Sequence, residues 1–307
     1  MKHRTAGSRF DEAALVLPPE IREKVYCFTD AERKEAEEFR LRAGRPASCV
    51  FPTGERFIGD GQSVTPQQLA RVLEIASEAS FHTVADKVKN GFVTMRGGHR
   101  IGLCGSVAVK DGEIVNIRQL SSVCIRIAKE IPGAAKPLLA RLAPEGKLRS
   151  TLILAPPGMG KTTLLRDMIR TLSDGDGLAP CRVGVADERG ELAALYHGVP
   201  QMDVGVRTDI VDGCPKAAGL MMLLRGMRPE VLAADEITAP EDIEALTKAA
   251  GCGAQLLVTA HGDSCEDLRL RPLYRKMMEL KLFRHVVLIH VEGGVRRYET
   301  VDGRTIL

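Results

Sequence analysis

The stretch TLILAPPGMGKTTLLRD, residues 151–167, decides the fold. It begins with an apolar run that predicts a buried strand, passes through a loop with Gly158 and Gly160, and ends in a pattern typical of a helix. Glycines in such a loop let backbone amides turn inward, and the following helix adds the positive end of its dipole. The stretch therefore predicts a loop that binds phosphate groups.

The residue types in this loop predict a bound nucleotide. The spacing places Lys161 within reach of the β- and γ-phosphates, and the Thr162 hydroxyl is expected to bind Mg²⁺. The strict pattern begins with glycine, whereas this chain has Ala155, a small residue at the end of the strand. The residues predicted to bind the nucleotide are Pro157, Gly158, Met159, Gly160, Lys161, Thr162 and Thr163.

A second apolar run, EVLAADE at 230–236, ends in Asp235 and Glu236. An aspartate at this position holds the magnesium ion of many such sites, so Asp235 joins Thr162 as an expected metal ligand. A neighbouring glutamate can orient and deprotonate an attacking water, which makes Glu236 the expected general base. The sequence has no Asn/Thr-Lys-x-Asp motif that would read guanine, so the expected reaction is Mg-dependent hydrolysis of ATP.

Three more residues are candidate catalytic groups. QLLVTAHG, 255–262, predicts a strand with Thr259 and His261 at its end. If this strand lies between the two motif strands, Thr259 lies near the γ-phosphate, whereas His261 is as well explained by a structural role. Glu188 follows another apolar run and remains an alternative to Glu236 as the general base.

Composition limits the other classes of function. Among 307 residues, 44% are hydrophobic and 27% are charged, as in ordinary soluble proteins, and the net charge is +3. Global charge therefore does not indicate a nucleic acid, and 4% aromatic residues without tryptophan offer few surfaces for stacking bases. No apolar run predicts a secretion signal or a membrane span, so we expect a cytoplasmic chain.

The eight cysteines are scattered along the chain. They form no CxxC pair and no Cys/His cluster with zinc spacing, so we expect free thiols and no zinc site.

The order of elements predicts two domains. Residues 1–147 read as a smaller α+β domain and 148–307 as an α/β domain, with a parallel sheet and helices on both faces. In the first domain the pattern predicts helices at 11–27, 30–40 and 66–81 and a short helix from His82 to Gly91. In the second it predicts strands at 151–155, 182–187, 230–236, 255–260 and 286–291, and helices at 161–172, 215–227, 240–250 and 265–281.

Arginines accompany both predicted domains. A guanidinium can stabilise charge on a transferring phosphoryl group, from the same chain or from a neighbouring subunit. The candidates are Arg96, Arg100, Arg118 and Arg126 in the first domain and Arg189, Arg207, Arg225 and Arg228 in the second.

Several segments together resemble one family, the stage III sporulation AA proteins. They are RLRAGRP (40–46), RGGHRIGLCG (96–105), SSVCIRIAKEIPG (121–133), APPGMGKTTLLRD (155–167), the long stretch 185–237 and TAHG (259–262). The resemblance implies a RecA-like P-loop ATPase, related to the ATPases of type II and type IV secretion systems. It implies an N-terminal domain that caps the nucleotide, and a hexameric ring.

The same resemblance implies a cellular role and assigns motifs. The protein would work in the mother-cell cytoplasm, docked on membrane proteins of a channel to the forespore, and energise that channel. Lys161 and Thr162 match the Walker A motif, and Asp235 and Glu236 match Walker B. The segment 185–191 matches the acidic box of secretion ATPases, and 259–262 their histidine box. The chain departs from many of them in having Asp-Glu rather than Gly-Glu at Walker B, and in lacking the tetracysteine zinc motif.

Two other functions fit parts of the pattern. A nucleic-acid-stimulated RecA-like ATPase would need a contiguous basic groove, and the low aromatic content argues against nucleic acid as a partner. A nucleotide-dependent scaffold without turnover would not need the two carboxylate pairs that follow the apolar runs.

Overall fold

The computed structural model describes residues 6–76, 91–293 and 295–307, which fold as two compact units. The first unit extends to Glu130 and also includes the segment Tyr196–Gln201. The second unit consists of Ile131–Leu195 and Met202–Leu307.

The first unit is an antiparallel sheet with helices, as the α+β pattern predicts. Its described helices are α1 (Ala6–Ala14), α2 (Pro19–Val25), α3 (Asp30–Glu35) and α4 (Pro66–Ala76). Its described strands are β1 (Glu38–Arg42), β2 (Ser48–Phe51), β3 (Gly54–Phe57), β4 (Phe92–Thr94), β5 (Arg100–Lys110) and β6 (Glu113–Arg126), in the spatial order β3-β2-β1-β6-β5-β4. The core contains Phe10, Phe39, Leu41, Leu69 and Ile101.

The helical predictions for this unit were partly wrong. The helix expected at 11–27 is two helices, because Pro18 and Pro19 interrupt it and Pro19 begins α2. The end of the helix expected at 30–40 belongs to β1, whose residues alternate between buried and half-buried as on a pleated strand. The end of the helix expected at 66–81, beyond Ala76, and nearly all of the helix expected from His82 lie outside the described residues.

The second unit alternates strands and helices around a sheet that has seven strands in the described residues. The helices are α5 (Lys136–Leu142), α6 (Lys161–Asp174), α7 (Lys216–Gly226), α8 (Pro240–Gly251), α9 (Cys265–Leu270) and α10 (Pro272–Glu279). The strands are β7 (Thr151–Ala155), β8 (Val183–Asp187), β9 (Thr208–Asp212), β10 (Val231–Ala234), β11 (Gln255–His261), β12 (His285–Glu292) and β13 (Val295–Asp302). No helix in the described parts of the chain has the length and apolar character needed to cross a bilayer.

The sheet order, β13-β12-β7-β11-β10-β8-β9, places β11 between the two motif strands β7 and β10. All neighbours are parallel except the terminal pair β12–β13. Side chains of α5 and α6 form a core on one face, and side chains of α7 to α10 form a core on the other. The predicted α/β architecture, with helices on both faces of a parallel sheet, is confirmed.

Some boundaries in this unit differ from the sequence prediction. The sequence placed the domain boundary at 147/148, whereas the compact units divide after Glu130. The reason is α5, whose Leu138, Leu139 and Leu142 are buried in the same core as α6. Strand β9 was not predicted, and the helix expected at 265–281 is broken at Arg271, just before Pro272.

The buried carboxylate of Asp167 joins α6 to the segment that leads into α5. It accepts hydrogen bonds from the amides of Gly133 at 3.0 Å and Ala135 at 2.7 Å, and from Nε of Arg170 at 2.9 Å. The Asp167 residue is only 4% exposed, so these hydrogen bonds are made away from bulk solvent.

We expect Asp167→Ala to lower the free energy of unfolding by roughly 2–4 kcal/mol, because two buried amides and a buried guanidinium lose their acceptor. Chemical denaturation measures the change. Asp176→Ala is the matched control, because Asp176 is more exposed and pairs with Lys136 at the surface. Equal stability of the two variants would contradict this account of α5.

Candidate nucleotide-binding site

The phosphate loop lies between β7 and α6, at the carboxyl edge of the parallel sheet. Gly158 and Gly160 have φ angles of +77° and +87°, a left-handed conformation that favours glycine. Gly160 is also the N-cap of α6, so the free amides of the first helical turn follow the loop directly. The loop therefore has the backbone arrangement needed to bind an anionic group.

Lys161 bends back over its own loop. Its Nζ donates to the carbonyl oxygens of Ala155 at 2.7 Å and Pro156 at 2.8 Å, and lies 3.0 Å from Nδ1 of His261. The residue is 6% exposed, and burial lowers the pKa of its ammonium group, while the charges of Glu236 and Asp235 oppose that shift. A phosphate would give this buried cation an anionic partner.

A chain of hydrogen bonds joins the helix start to two strand ends. The Thr162 hydroxyl donates to Oδ2 of Asp235 at 2.5 Å, and the buried Thr259 hydroxyl donates to Oδ1 of the same carboxylate. The Glu236 amide donates to the Thr259 hydroxyl oxygen at 2.8 Å. Because β11 lies between β7 and β10, the structure brings these sequence-predicted residues together.

The Thr162 and Asp235 oxygens suit a magnesium ion. Mg²⁺ takes oxygen ligands, and in nucleotide sites it uses one or two protein groups together with substrate phosphates and water. The short Thr162–Asp235 bond shows that the hydroxyl and carboxylate can reach one common ligand. No cluster of three or more His, Cys, Asp or Glu side chains fit for a metal ion occurs among the described residues.

Glu236 lies just past β10, between a guanidinium and an imidazole. Its Oε2 is 2.7 Å from Nη1 of Arg189, and its Oε1 is 2.9 Å from Nε2 of His261. Its φ of +53° is uncommon for a residue other than glycine and costs about 1–3 kcal/mol. His261 thus contacts both Lys161 and Glu236, which gives it more contacts in the site than the sequence indicated.

Glu188 is held by a lysine that the sequence analysis missed. Its carboxylate pairs with Nζ of Lys216, a residue only 6% exposed, which also lies 4.0 Å from the Asp242 carboxylate. Lys216 follows Pro215 at the start of α7, and no spacing rule connects it with Glu188. The pair gives the half-buried Glu188 carboxylate a cationic partner from α7.

Asp187, which precedes Glu188, is a structural residue. It is 3% exposed, and its carboxylate accepts backbone amides from the following turn, including Glu191 at 2.8 Å and Ala193 at 2.8 Å. Burial raises the pKa of this carboxyl, and the donated amides oppose the rise. The turn after β8 is therefore anchored next to Glu188.

Only one of the four candidate arginines in the second unit reaches the site, namely Arg189. Arg207 immediately precedes β9, and Arg225 and Arg228 lie at the end of α7 and in the loop that leads into β10. These three lie at the amino ends of the strands, at the opposite edge of the sheet from the phosphate loop.

The four arginines of the first unit differ in their partners. The Arg100 guanidinium lies 3.6 Å from the centroid of the Phe92 ring, and Nε of Arg126 lies 3.4 Å from Glu38. Arg96 and Arg118 are exposed and have no ion pair among the described residues.

Arg296, on β13, also contacts the phosphate loop and was not singled out from the sequence. Its Nε donates to the Met159 carbonyl at 3.0 Å. The two residues are 137 positions apart, so no local motif connects them.

The family model of sporulation stage III, protein AA, matches residues 9–304. The chain belongs to this family. Stage III sporulation protein AA of Bacillus subtilis (strain 168) is 39% identical over 285 residues, which cover 92% of each chain. Protein SEEDLING PLASTID DEVELOPMENT 1 of Arabidopsis thaliana is 26% identical over 259 residues, 84% of this chain and 34% of the plant protein.

Two solved structures share the fold of this family member. The ATPase DotB of Legionella pneumophila superposes with a TM-score of 0.58 at 15% identity, over 92% of this chain and 80% of its own. The pilus retraction motor PilT with bound ADP superposes with a TM-score of 0.62 at 16% identity, over 92% and 82%. The sequence-based predictions of the family and of a RecA-like fold are confirmed.

We expect Lys161→Ala to weaken ATP binding roughly 10- to 100-fold, because a charge-assisted contact to phosphate contributes about 1.5–3 kcal/mol. The variant should stay folded, since the Ala155 carbonyl also lies 3.4 Å from the Gly262 amide and Pro156 is only half-buried. Isothermal titration calorimetry with ATP measures the affinity, and circular dichroism measures the fold.

Lys248→Ala, on the exposed side of α8, removes the same charge away from the loop and should bind ATP normally. Unchanged affinity in Lys161→Ala would contradict the assignment of the phosphate loop.

Proposed function

We propose that this protein is a Mg-dependent ATPase that hydrolyses ATP to ADP and phosphate. The observation that carries the proposal is the continuous set of contacts from Lys161 through His261 to Glu236, beside the Thr162–Asp235–Thr259 chain. These groups lie at the carboxyl ends of three adjacent parallel strands, where open α/β sheets bind ligands. They supply a phosphate cradle, a cation, a metal-binding pair and a base.

In the proposed reaction, the loop amides bind the β- and γ-phosphates, and Lys161 moves its Nζ from the loop carbonyls to the phosphate oxygens. Thr162 and Asp235 would hold Mg²⁺, which would supply positive charge to neutralise the phosphates. Glu236 accepts a proton from water as the water oxygen bonds to the γ-phosphorus and the bond to the leaving ADP oxygen breaks. Thr259 fixes Asp235 and the Glu236 backbone during this step.

The geometry favours Glu236 over Glu188 as the general base. Glu236 follows Asp235 directly, and its amide is held by Thr259. Glu188, on the turn that follows β8, pairs through Oε2 with the buried Lys216. Glu236 also connects to the phosphate loop through His261 and Lys161, so we assign it as the base and assign Glu188 to positioning the turn that carries Arg189.

We expect Glu236→Gln to lower the rate of ATP hydrolysis roughly 10²- to 10⁴-fold while ATP still binds, because the amide keeps the shape and loses the base. Phosphate release and retention of labelled ATP measure the two effects. Glu188→Gln is the matched comparison and should retain more activity. If Glu188→Gln traps ATP and Glu236→Gln does not, the base assignment is reversed.

Family membership and the fold support a more specific role. We infer that the protein forms a homo-oligomeric ring, proposed to be hexameric, in the mother-cell cytoplasm. There it would dock peripherally on membrane proteins of the channel to the forespore and energise that channel. The first unit would cap the nucleotide of the second.

Arg96 and Arg118 are the first unit's best candidates for completing the site, because they are exposed and lack an ion pair among the described residues. We expect turnover per chain to rise with protein concentration as rings form. Arg96→Ala or Arg118→Ala should lower the rate by about 10³-fold or more, the usual range for an arginine acting on the transferring phosphoryl group.

The matched control is Arg126→Ala, since Arg126 is already paired with Glu38. Constant turnover across the concentration series, with full activity in both arginine variants, would argue against the cap and the ring. The rate should not change with single-stranded DNA, and a rise would favour a nucleic-acid-stimulated ATPase.

A further inference from the structure

Arg296 lies level with the phosphate loop, on the side of β7 away from the carboxylates. Strand β12 pairs with β7 up to Leu288 and Leu154, and further along β12 Val291 pairs with Arg296 of β13. Val291 is three residues beyond Leu288, which is about 10 Å along the strand, so it lies past the end of β7. Arg296 therefore lies on β13, the second strand from β7 on one side of the sheet. Asp235 follows β10, the second strand from β7 on the other side.

The Arg296 guanidinium lies against the loop backbone at Gly160. A Cβ atom built on Gly160 would lie 3.1 Å from Nε and 3.3 Å from Cζ of Arg296, which is a tight contact, and the φ of +87° at this position also favours glycine. The hydrogen bond from Nε to the Met159 carbonyl fixes one edge of the group. Arg296 is exposed, and no carboxylate pairs with it among the described residues.

The carboxylates on one side of the loop and Arg296 on the other set the orientation of a bound nucleotide. The γ-phosphate must face Asp235 and Glu236, which follow β10, because those residues carry the metal site and the base in the proposed function. The chain of phosphates then runs back across the end of β7, and the nucleoside leaves the loop on the side of β12 and β13. Arg296 is the cation on that side that contacts the loop.

We propose that Arg296 binds the nucleoside end of the substrate by stacking its guanidinium on the purine base. This inference rests on the proposed ATPase function. A guanidinium is planar, always charged and weakly hydrated, and it stacks well on aromatic faces. The bond to Met159 holds the group in place before the base arrives, which reduces the entropy lost on binding.

The test separates base binding from phosphate binding with two ligands, ATP and inorganic tripolyphosphate, titrated into the full-length protein. Arg296→Ala should raise the Kd for ATP about 3- to 30-fold, the range of a cation–π contact, and leave the Kd for tripolyphosphate within about twofold. The value of kcat at saturating ATP should change little, so the loss appears in KM. Arg296→Lys should not restore ATP affinity, because an ammonium group lacks the planar face.

Arg297→Ala is the matched control. It removes the same charge from the next position of β13, and Arg297 lies 3.8 Å from Glu292 rather than on the loop. This variant should bind both ligands as the unmodified protein does.

Three results would overturn the proposal. Equal weakening of ATP and tripolyphosphate by Arg296→Ala would mean that Arg296 only supports the loop. Full recovery in Arg296→Lys would mean a point-charge contact with phosphate. Normal ATP affinity in Arg296→Ala would mean no contact at all. Failure of the proposed function gives a different pattern, in which the unmodified protein binds neither ligand or Lys161→Ala binds both normally.

Discussion

The hydrogen bond from the buried Thr259 hydroxyl to the Asp235 carboxylate is the contact on which the geometry of the site depends. It joins β11 to the end of β10, and the other oxygen of the same carboxylate accepts from Thr162 at the start of α6. Three elements that are distant in the sequence are thereby fixed around one side chain. The insertion of β11 between β7 and β10 makes this possible, since parallel neighbours end at the same edge of a sheet.

The charges of the site already have partners within the protein. Lys161 donates to loop carbonyls, Glu236 lies between Arg189 and His261, and Glu188 pairs with Lys216. A buried charge without a partner would cost several kcal/mol, so these contacts stabilise the fold in the absence of ligand. A bound nucleotide must therefore replace existing partners of these charged groups. The net free energy gained from each hydrogen bond exchanged in this way is small. We therefore expect contacts outside the phosphate loop to contribute to the affinity of the site.

The sequence predicted the parts of the site that local spacing determines. Glycine spacing identifies the phosphate loop, and apolar runs that end in carboxylates identify Asp235 and Glu236. Lys216 and Arg296 were missed because their contacts span 28 and 137 positions and depend on how the sheet is assembled. Strand β9 was missed because its residues are only half-buried and show no apolar run. The sequence placed the domain boundary at 147/148, whereas the compact units divide after Glu130, because the leucines of α5 are buried in the second core.

The charged groups that follow β10 have partners within the protein, whereas Arg296 on β13 is exposed to water. This difference follows from how deeply the strands of the sheet are buried. Strands β7, β8 and β10 are buried along their whole length, and Asp235 and Glu236, which follow β10, are half-buried and have specific partners. Strand β13 lies at the antiparallel edge and is mostly exposed, so Arg296 can remain without a carboxylate at little cost because water solvates it. Partnered charges are therefore concentrated where charge changes in the proposed reaction. The solvated end carries Arg296, which the proposal assigns to binding the nucleoside rather than to the reaction.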